Sequence, residues 1–162
     1  MKTAAAAFFC LMAAAWFLVL QAKPSALQQQ SPSPSSDEAS RSVWDGVYTN
    51  EQADRGHSVY HSQCESCHGE TLAGGDEVAP LAGAQFLANW SGLTVGDLFE
   101  RIRKSMPAND PGRLTSQQNA DVLAYVLAFN MFPPGQTELP PAVELLKQIR
   151  IEATKPDHHN DK

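Results

Sequence analysis

Cys64-Glu65-Ser66-Cys67-His68 is the stretch on which the reading of this chain turns. Two thiols three residues apart, followed at once by a histidine, form the pattern of covalent haem attachment. On a helical turn, residues i and i+3 project to one side, so Cys64 and Cys67 can each add across one vinyl group of a porphyrin. His68, at i+4 from Cys64, aims its imidazole at the centre of the macrocycle. A tetrahedral zinc site needs four ligands, usually as two spaced pairs. The chain has no second cysteine pair, and His57 and His61 lie upstream on what reads as a helix. A thioredoxin-like site needs a βαβ context, and a plain disulfide leaves His68 without a purpose.

Upstream of the motif, Met1-Lys2 and an uncharged run over residues 4–20 read as a secretory signal peptide ending at Ala22. The rival reading is an uncleaved anchor, since the run is just long enough to span a bilayer. Cys10 reads as an ordinary apolar residue of this segment. Residues 23–43 are rich in Gln, Ser and Pro, the composition of a linker. Residues 44–135 read as the compact domain, and residues 136–162 as an extension with a short helix over 142–151 and a disordered end. Export places the domain in the periplasm or an equivalent compartment, or on the outer face of the cytoplasmic membrane if the anchor stays. Membrane contact is expected only in that second case.

The domain reads as all-α. Thr49 and Gln52, Thr94 and Asp97, and Thr115 and Gln118 each have capping-box spacing, so helices are expected to start at all three places. In the third, Val122, Tyr125, Val126 and Phe129 fall on one apolar face. Residues 69–92, with five glycines and one proline, read as a long irregular segment organised around a bound group.

A second axial ligand must come from elsewhere. Met106 and Met131 are the candidates outside the signal. Met106 sits in Lys104-Ser105-Met106-Pro107, between two expected helices, where Pro107 stiffens a loop able to arch over a porphyrin. Met131 reads more simply as part of a hydrophobic cap. His57 and His61 precede the motif on the helix that leads into it, which places them poorly for the opposite face. Context therefore favours Met106, and His68/Met106 ligation is an electron-transfer arrangement.

The order YHSQCESCHG, APLAG, Trp90, LFERIRKSMP and PGRLTSQQNADVLAYVLAFNMFPPG resembles a class I c-type cytochrome. It is especially similar to the mono-haem domains associated with pyrroloquinoline-quinone alcohol and sugar dehydrogenases. The resemblance covers about residues 44–150. It implies a cytochrome c fold of three main helices plus short ones around one covalent haem c. It also implies that the Pro80 carbonyl accepts from the second nitrogen of His68, and that Trp90 packs beside the porphyrin. Tyr60, Leu98, Ile102 and Tyr125 become haem-packing residues. Asn89-Trp90-Ser91 also matches a glycosylation sequon, read as accidental.

The chain has 162 residues, with 12 Lys+Arg against 18 Asp+Glu. Such an acidic balance is wrong for a nucleic-acid binder. The expected function is one-electron transfer between redox proteins, such as a periplasmic dehydrogenase and a terminal oxidase or another cytochrome. No catalysis by the chain itself is expected. Two alternatives are a fixed subunit of a quinoprotein dehydrogenase or oxidase, and a sensor or catalyst with a labile sixth ligand. Arg101, Arg103 and Lys104 form a candidate positive patch for docking, with a solvated helix face as the plainer reading.

Overall fold

The computed structural model describes residues 41–156, so the expected signal peptide, nearly all of the linker and the last six residues lie outside it. The order is β1 (Arg41–Ser42), a 3₁₀ turn (Val43–Asp45), α1 (Asn50–Gln63), α2 (Glu65–His68), α3 (Gly83–Trp90), α4 (Val95–Ser105), α5 (Ser116–Phe129), α6 (Val143–Leu146) and β2 (Ile149–Arg150). The architecture is all-α, with one two-residue parallel ladder, Arg41 opposite Ile149 and Ser42 opposite Arg150.

Local chemistry starts the long helices. The Thr94 and Thr115 side chains accept from the N–H three residues on, and Asp97 and Gln118 bond back to the cap residue. At α1 the Thr49 side chain accepts from the Gln52 N–H, but the return half of the box is missing. The Gln52 side chain turns inward instead. Its amide donates to the Leu139 carbonyl at 3.0 Å, and its oxygen accepts from the Leu139 N–H at 2.7 Å. A buried side-chain amide satisfied on both ends costs little, so it ties the later chain to α1.

Helices α1 and α5 make the most extensive helix pair. Their approach needs Gly56, because a Cβ there would collide with the Asp121 carbonyl oxygen. α5 is buried nearly all round, through Ala120, Val122, Leu123, Ala124, Val126 and Leu127, since it packs on both α1 and α4. The expected single apolar face is therefore only part of what is buried, and its Phe129 end reaches the surface at 39% exposure.

Two expectations change. The segment 69–92 is not irregular throughout, since α3 occupies its second half. The helix expected over 142–151 stops at Leu146, because the chain then extends to pair with β1 and to exchange bonds of 2.8 Å from Ile151 to Leu93 and from Gly92 to Ile151. Leu139, Leu146, Ile149 and Ile151 share one core with Tyr60, Phe86, Leu98 and Leu123.

Candidate functional site

Cys64 is the hinge on which the site is built. It ends α1, with its N–H bonded to the Tyr60 carbonyl at 2.8 Å, and it opens α2. Its own carbonyl accepts from the N–H groups of Cys67 at 3.2 Å and His68 at 3.0 Å, which winds the motif into a single turn. Both thiols are unpaired; Cys64 is half-buried and Cys67 exposed. Burial, reinforced by the neighbouring Cys67, pushes the Cys64 thiol up to about 11, so it remains a neutral S–H at ordinary pH.

His68 is buried, and its Nδ1 lies 3.0 Å from the Ala79 carbonyl oxygen. A carbonyl can only accept, so the proton sits on Nδ1 and the lone pair is on Nε2. Burial lowers the imidazole's pKa against the opposing pull of that bond, which favours the neutral, ligating form. The acceptor is thus Ala79 rather than Pro80. Register decides this: Leu72 bonds Leu81, Gly75 and Val78 bond each other, and the carbonyl that meets the ring is the one before the proline.

The strap carrying that carbonyl is held from several sides. The Gly74 N–H bonds the His68 carbonyl at 2.9 Å. Gly74 has φ +67, and a Cβ there would collide with the Val78 carbonyl oxygen. The Tyr60 hydroxyl donates to the Gly69 carbonyl at 2.6 Å. Asn130, beyond the end of α5, accepts from the Gly83 N–H and donates to the Leu81 carbonyl, each at 2.9 Å. Sequence reading missed Asn130 and Gln52, since their partners are 49 and 87 residues away. An Asn just past a helix end was the one available signal.

The expected packing residues gather as one apolar cluster. Tyr60 and Leu98 are within it, and Cys64, Trp90, Ile102 and Tyr125 pack against it half-buried. The Tyr60 and Tyr125 rings stand 5.2 Å apart. His57 stacks on Tyr125 at 5.0 Å, and His61 pairs with Glu65 at 2.7 Å on the surface. His57 thus packs on α5, and His61 on the first residue of α2.

Met106 terminates α4, its N–H on the Ile102 carbonyl at 2.8 Å, and its side chain is half-buried. Met131 is 83% exposed. In the candidate positive patch, Glu100 engages Lys104 at 3.0 Å and Arg103 at 4.0 Å, leaving Arg101 as the exposed cation of the three without an ion-pair partner among the described residues. The described residues contain no group of three or more His, Cys, Asp or Glu side chains placed to hold a metal ion.

The family model described as cytochrome c oxidase, cbb3-type, subunit III matches residues 51–126, from α1 through most of α5. These residues form a class I c-type cytochrome domain. Among solved structures, the chain is similar to one in the sulfane dehydrogenase SoxCD from Paracoccus pantotrophus. That match has 19% identity and a TM-score of 0.45, covering 74% of this chain and 68% of that one. So remote a likeness bears on neither partner nor activity. No curated protein matches the chain.

The cytochrome's cofactor is haem c, held covalently, and its task is haem-based electron transfer. The residues fit that group. Cys64 and Cys67 are the cysteines of the described chain, they lie on one turn, and neither is spent on a disulfide. His68 beside them offers a buried, neutral, oriented imidazole.

Proposed function

We propose that this cytochrome is an exported, mono-haem carrier of single electrons, with thioethers at Cys64 and Cys67 and iron ligated by His68 Nε2 and the Met106 thioether. The observation that carries the proposal is the His68–Ala79 bond, which commits Nδ1 to the protein and leaves Nε2 for a metal. Haem c supplies a reversible one-electron change at iron. The chain's part is to keep both ligands in place through it. The strap holds the imidazole from behind, and α4 delivers Met106 at its end. Tyr60, Leu98, Ile102 and Tyr125 exclude water, which with a thioether ligand favours a raised reduction potential. Trp90 has no side-chain hydrogen bond among the described residues, so its indole N–H is available to a propionate.

Met106 is preferred to Met131 because it closes the helix that carries Leu98 and Ile102, while Met131 stands in solvent. With His68 and Met106 both given to the iron, no position would remain for a substrate, so the partners would be redox proteins: a periplasmic dehydrogenase as donor, quinoprotein enzymes among them, and an oxidase or second cytochrome as acceptor. Export rests on residues 1–22 and on the attachment motif. A second reading, a fixed subunit of a terminal oxidase, draws on the description of the matching family model.

Oxidised and reduced visible spectra of the exported protein test the ligand set. Met106→Ala should abolish a methionine-to-iron charge-transfer band that Met131→Ala leaves intact. A wild-type protein that is high-spin or binds carbon monoxide when reduced refutes His/Met ligation and moves the reading to a sensor or catalyst.

A further inference from the structure

The end of α5 carries a conformational cost with no return inside the described chain. Its last turn closes with the Phe132 N–H on the Leu127 carbonyl at 3.2 Å and the Met131 N–H on the Ala128 carbonyl at 2.9 Å. This is a Schellman closure, whose left-handed position is ordinarily glycine. Here it is Met131, at φ +65. Its side chain recovers nothing by packing, at 83% exposed, and Phe129 two residues earlier is 39% exposed. The two edge an open hollow of about 550 Å³, completed by Thr71, Ala73, Ala82 and Leu87. A strained residue that displays an unbranched thioether beside an exposed aromatic marks a contact surface rather than a packing need.

The segments that line the hollow carry carboxylates but neither Lys nor Arg, and the histidine beside Glu70, His61, is paired with Glu65. No Lys or Arg occurs between Arg55 and Arg101, nor between Arg113 and Lys147, and every residue of the hollow falls in those two spans. Glu70 adjoins Thr71, and Asp76 and Glu77 follow Ala73 in the strap's turn. Burial and then the fields of Glu65 and Glu70 raise the Tyr125 hydroxyl's pKa, and the Tyr125 ring stands 6.0 Å from that of Phe129. Arg55, the nearest cation in sequence, is engaged by Asp121 and Glu138.

We infer that this hollow docks a protein partner that presents an apolar projection ringed by Lys or Arg. The site lies against the strap that follows His68, not on the Met106 loop, and it does not depend on which side chain completes the iron's ligation. A partner seated there contacts the strap and the end of α5, and none of residues 106–113 lines its seat.

The test uses the haem-loaded full chain, labelled with nitrogen-15 and titrated with a synthetic peptide that has a Leu-Phe centre flanked by lysines. Chemical-shift changes should centre on Thr71, Ala73, Leu87 and Met131. A Met131→Gly variant should bind about tenfold more weakly while its thermal midpoint rises, because glycine relieves the left-handed residue. That pairing separates lost docking from lost folding. Raising salt from about 0.02 to about 0.3 M should weaken binding several-fold, and a glutamate-flanked peptide should bind about tenfold more weakly than the lysine one. Shifts centred elsewhere, unchanged binding by Met131→Gly, or equal binding of the two peptides overturns the inference. Self-association of the holoprotein that Met131→Gly abolishes also overturns it, since the occupant is then a second copy.

Discussion

The strap after His68 and the loop after Met106 are both short, irregular and turned by a glycine at positive φ, Gly74 at +67 and Gly112 at +81. They are anchored differently. Side chains from two helical regions reach the strap, Tyr60 from α1 onto Gly69 and Asn130 from the end of α5 onto Leu81. The loop bonds mainly to itself, with Asp110 N–H on Pro107 at 3.0 Å and Gly112 N–H on Met106 at 3.3 Å. Among the described residues, no side chain of another element hydrogen-bonds to residues 106–113. The protein therefore fixes its imidazole by its own bonds, whereas the thioether's position leans on α4 and on whatever the sulfur binds. Under the proposed His68/Met106 ligation, such a pair should fail from the methionine side first.

Glycine replacement gives the largest expected contrast. Gly74→Ala meets both a left-handed φ and the Val78 carbonyl, so urea denaturation of the holoprotein should show a loss of about 3 kcal/mol. Gly112→Ala meets only the conformational cost, because the nearest atom is the Arg103 carbonyl oxygen at 3.7 Å, and should lose about 1 kcal/mol. Equal losses would remove the distinction between the two segments.

Asn130→Ala sharpens it at smaller amplitude. The change strips the Leu81 carbonyl and the Gly83 N–H of a shared partner. Gly83 is exposed and can turn to water, while Leu81 is half-buried, so the expected loss is about 2 kcal/mol. Amide exchange should rise across residues 69–83 and stay unchanged across 106–113.

What could be read from residues alone follows the range of the interactions. The attachment motif was legible because one turn contains it, and the Thr94 and Thr115 boxes because each closes within three residues. Thr49 was half legible: it does cap α1, but Gln52 serves Leu139 rather than the box. The choice of Ala79 over Pro80 depends on how Leu72 pairs with Leu81, a register that composition does not encode. α3 escaped notice because its N-cap is Ala82, which has no side-chain acceptor to announce a helix. The end of α6 was hidden for the opposite reason, since pairing with β1 and Leu93 outweighs the helical pattern after Leu146.

The smallest expected effect lies on the methionine side, at the far end of the helix that presents Met106. Asp97 accepts from the Thr94 hydroxyl at 2.7 Å and from its N–H at 2.9 Å, and these bonds hold its carboxyl below the usual range. A carboxyl more acidic in the folded than in the unfolded chain stabilises the fold above the ordinary carboxylate pKa. As pH falls the unfolded state takes up the proton first, and the stabilisation is gone once pH passes below the depressed folded value. Asp97→Asn should therefore cost about 0.5 kcal/mol at neutral pH and nothing in strong acid, so the two stability curves converge on acidification. Because the box sets the start of α4 and Met106 its end, the variant should lose the methionine-to-iron band at lower denaturant than wild type. The attachment turn, which is wound on Cys64 and not on α4, should melt with the global transition, whose midpoint falls by less than that of the band. If band and global unfolding shift together, the methionine side is no looser than the histidine side.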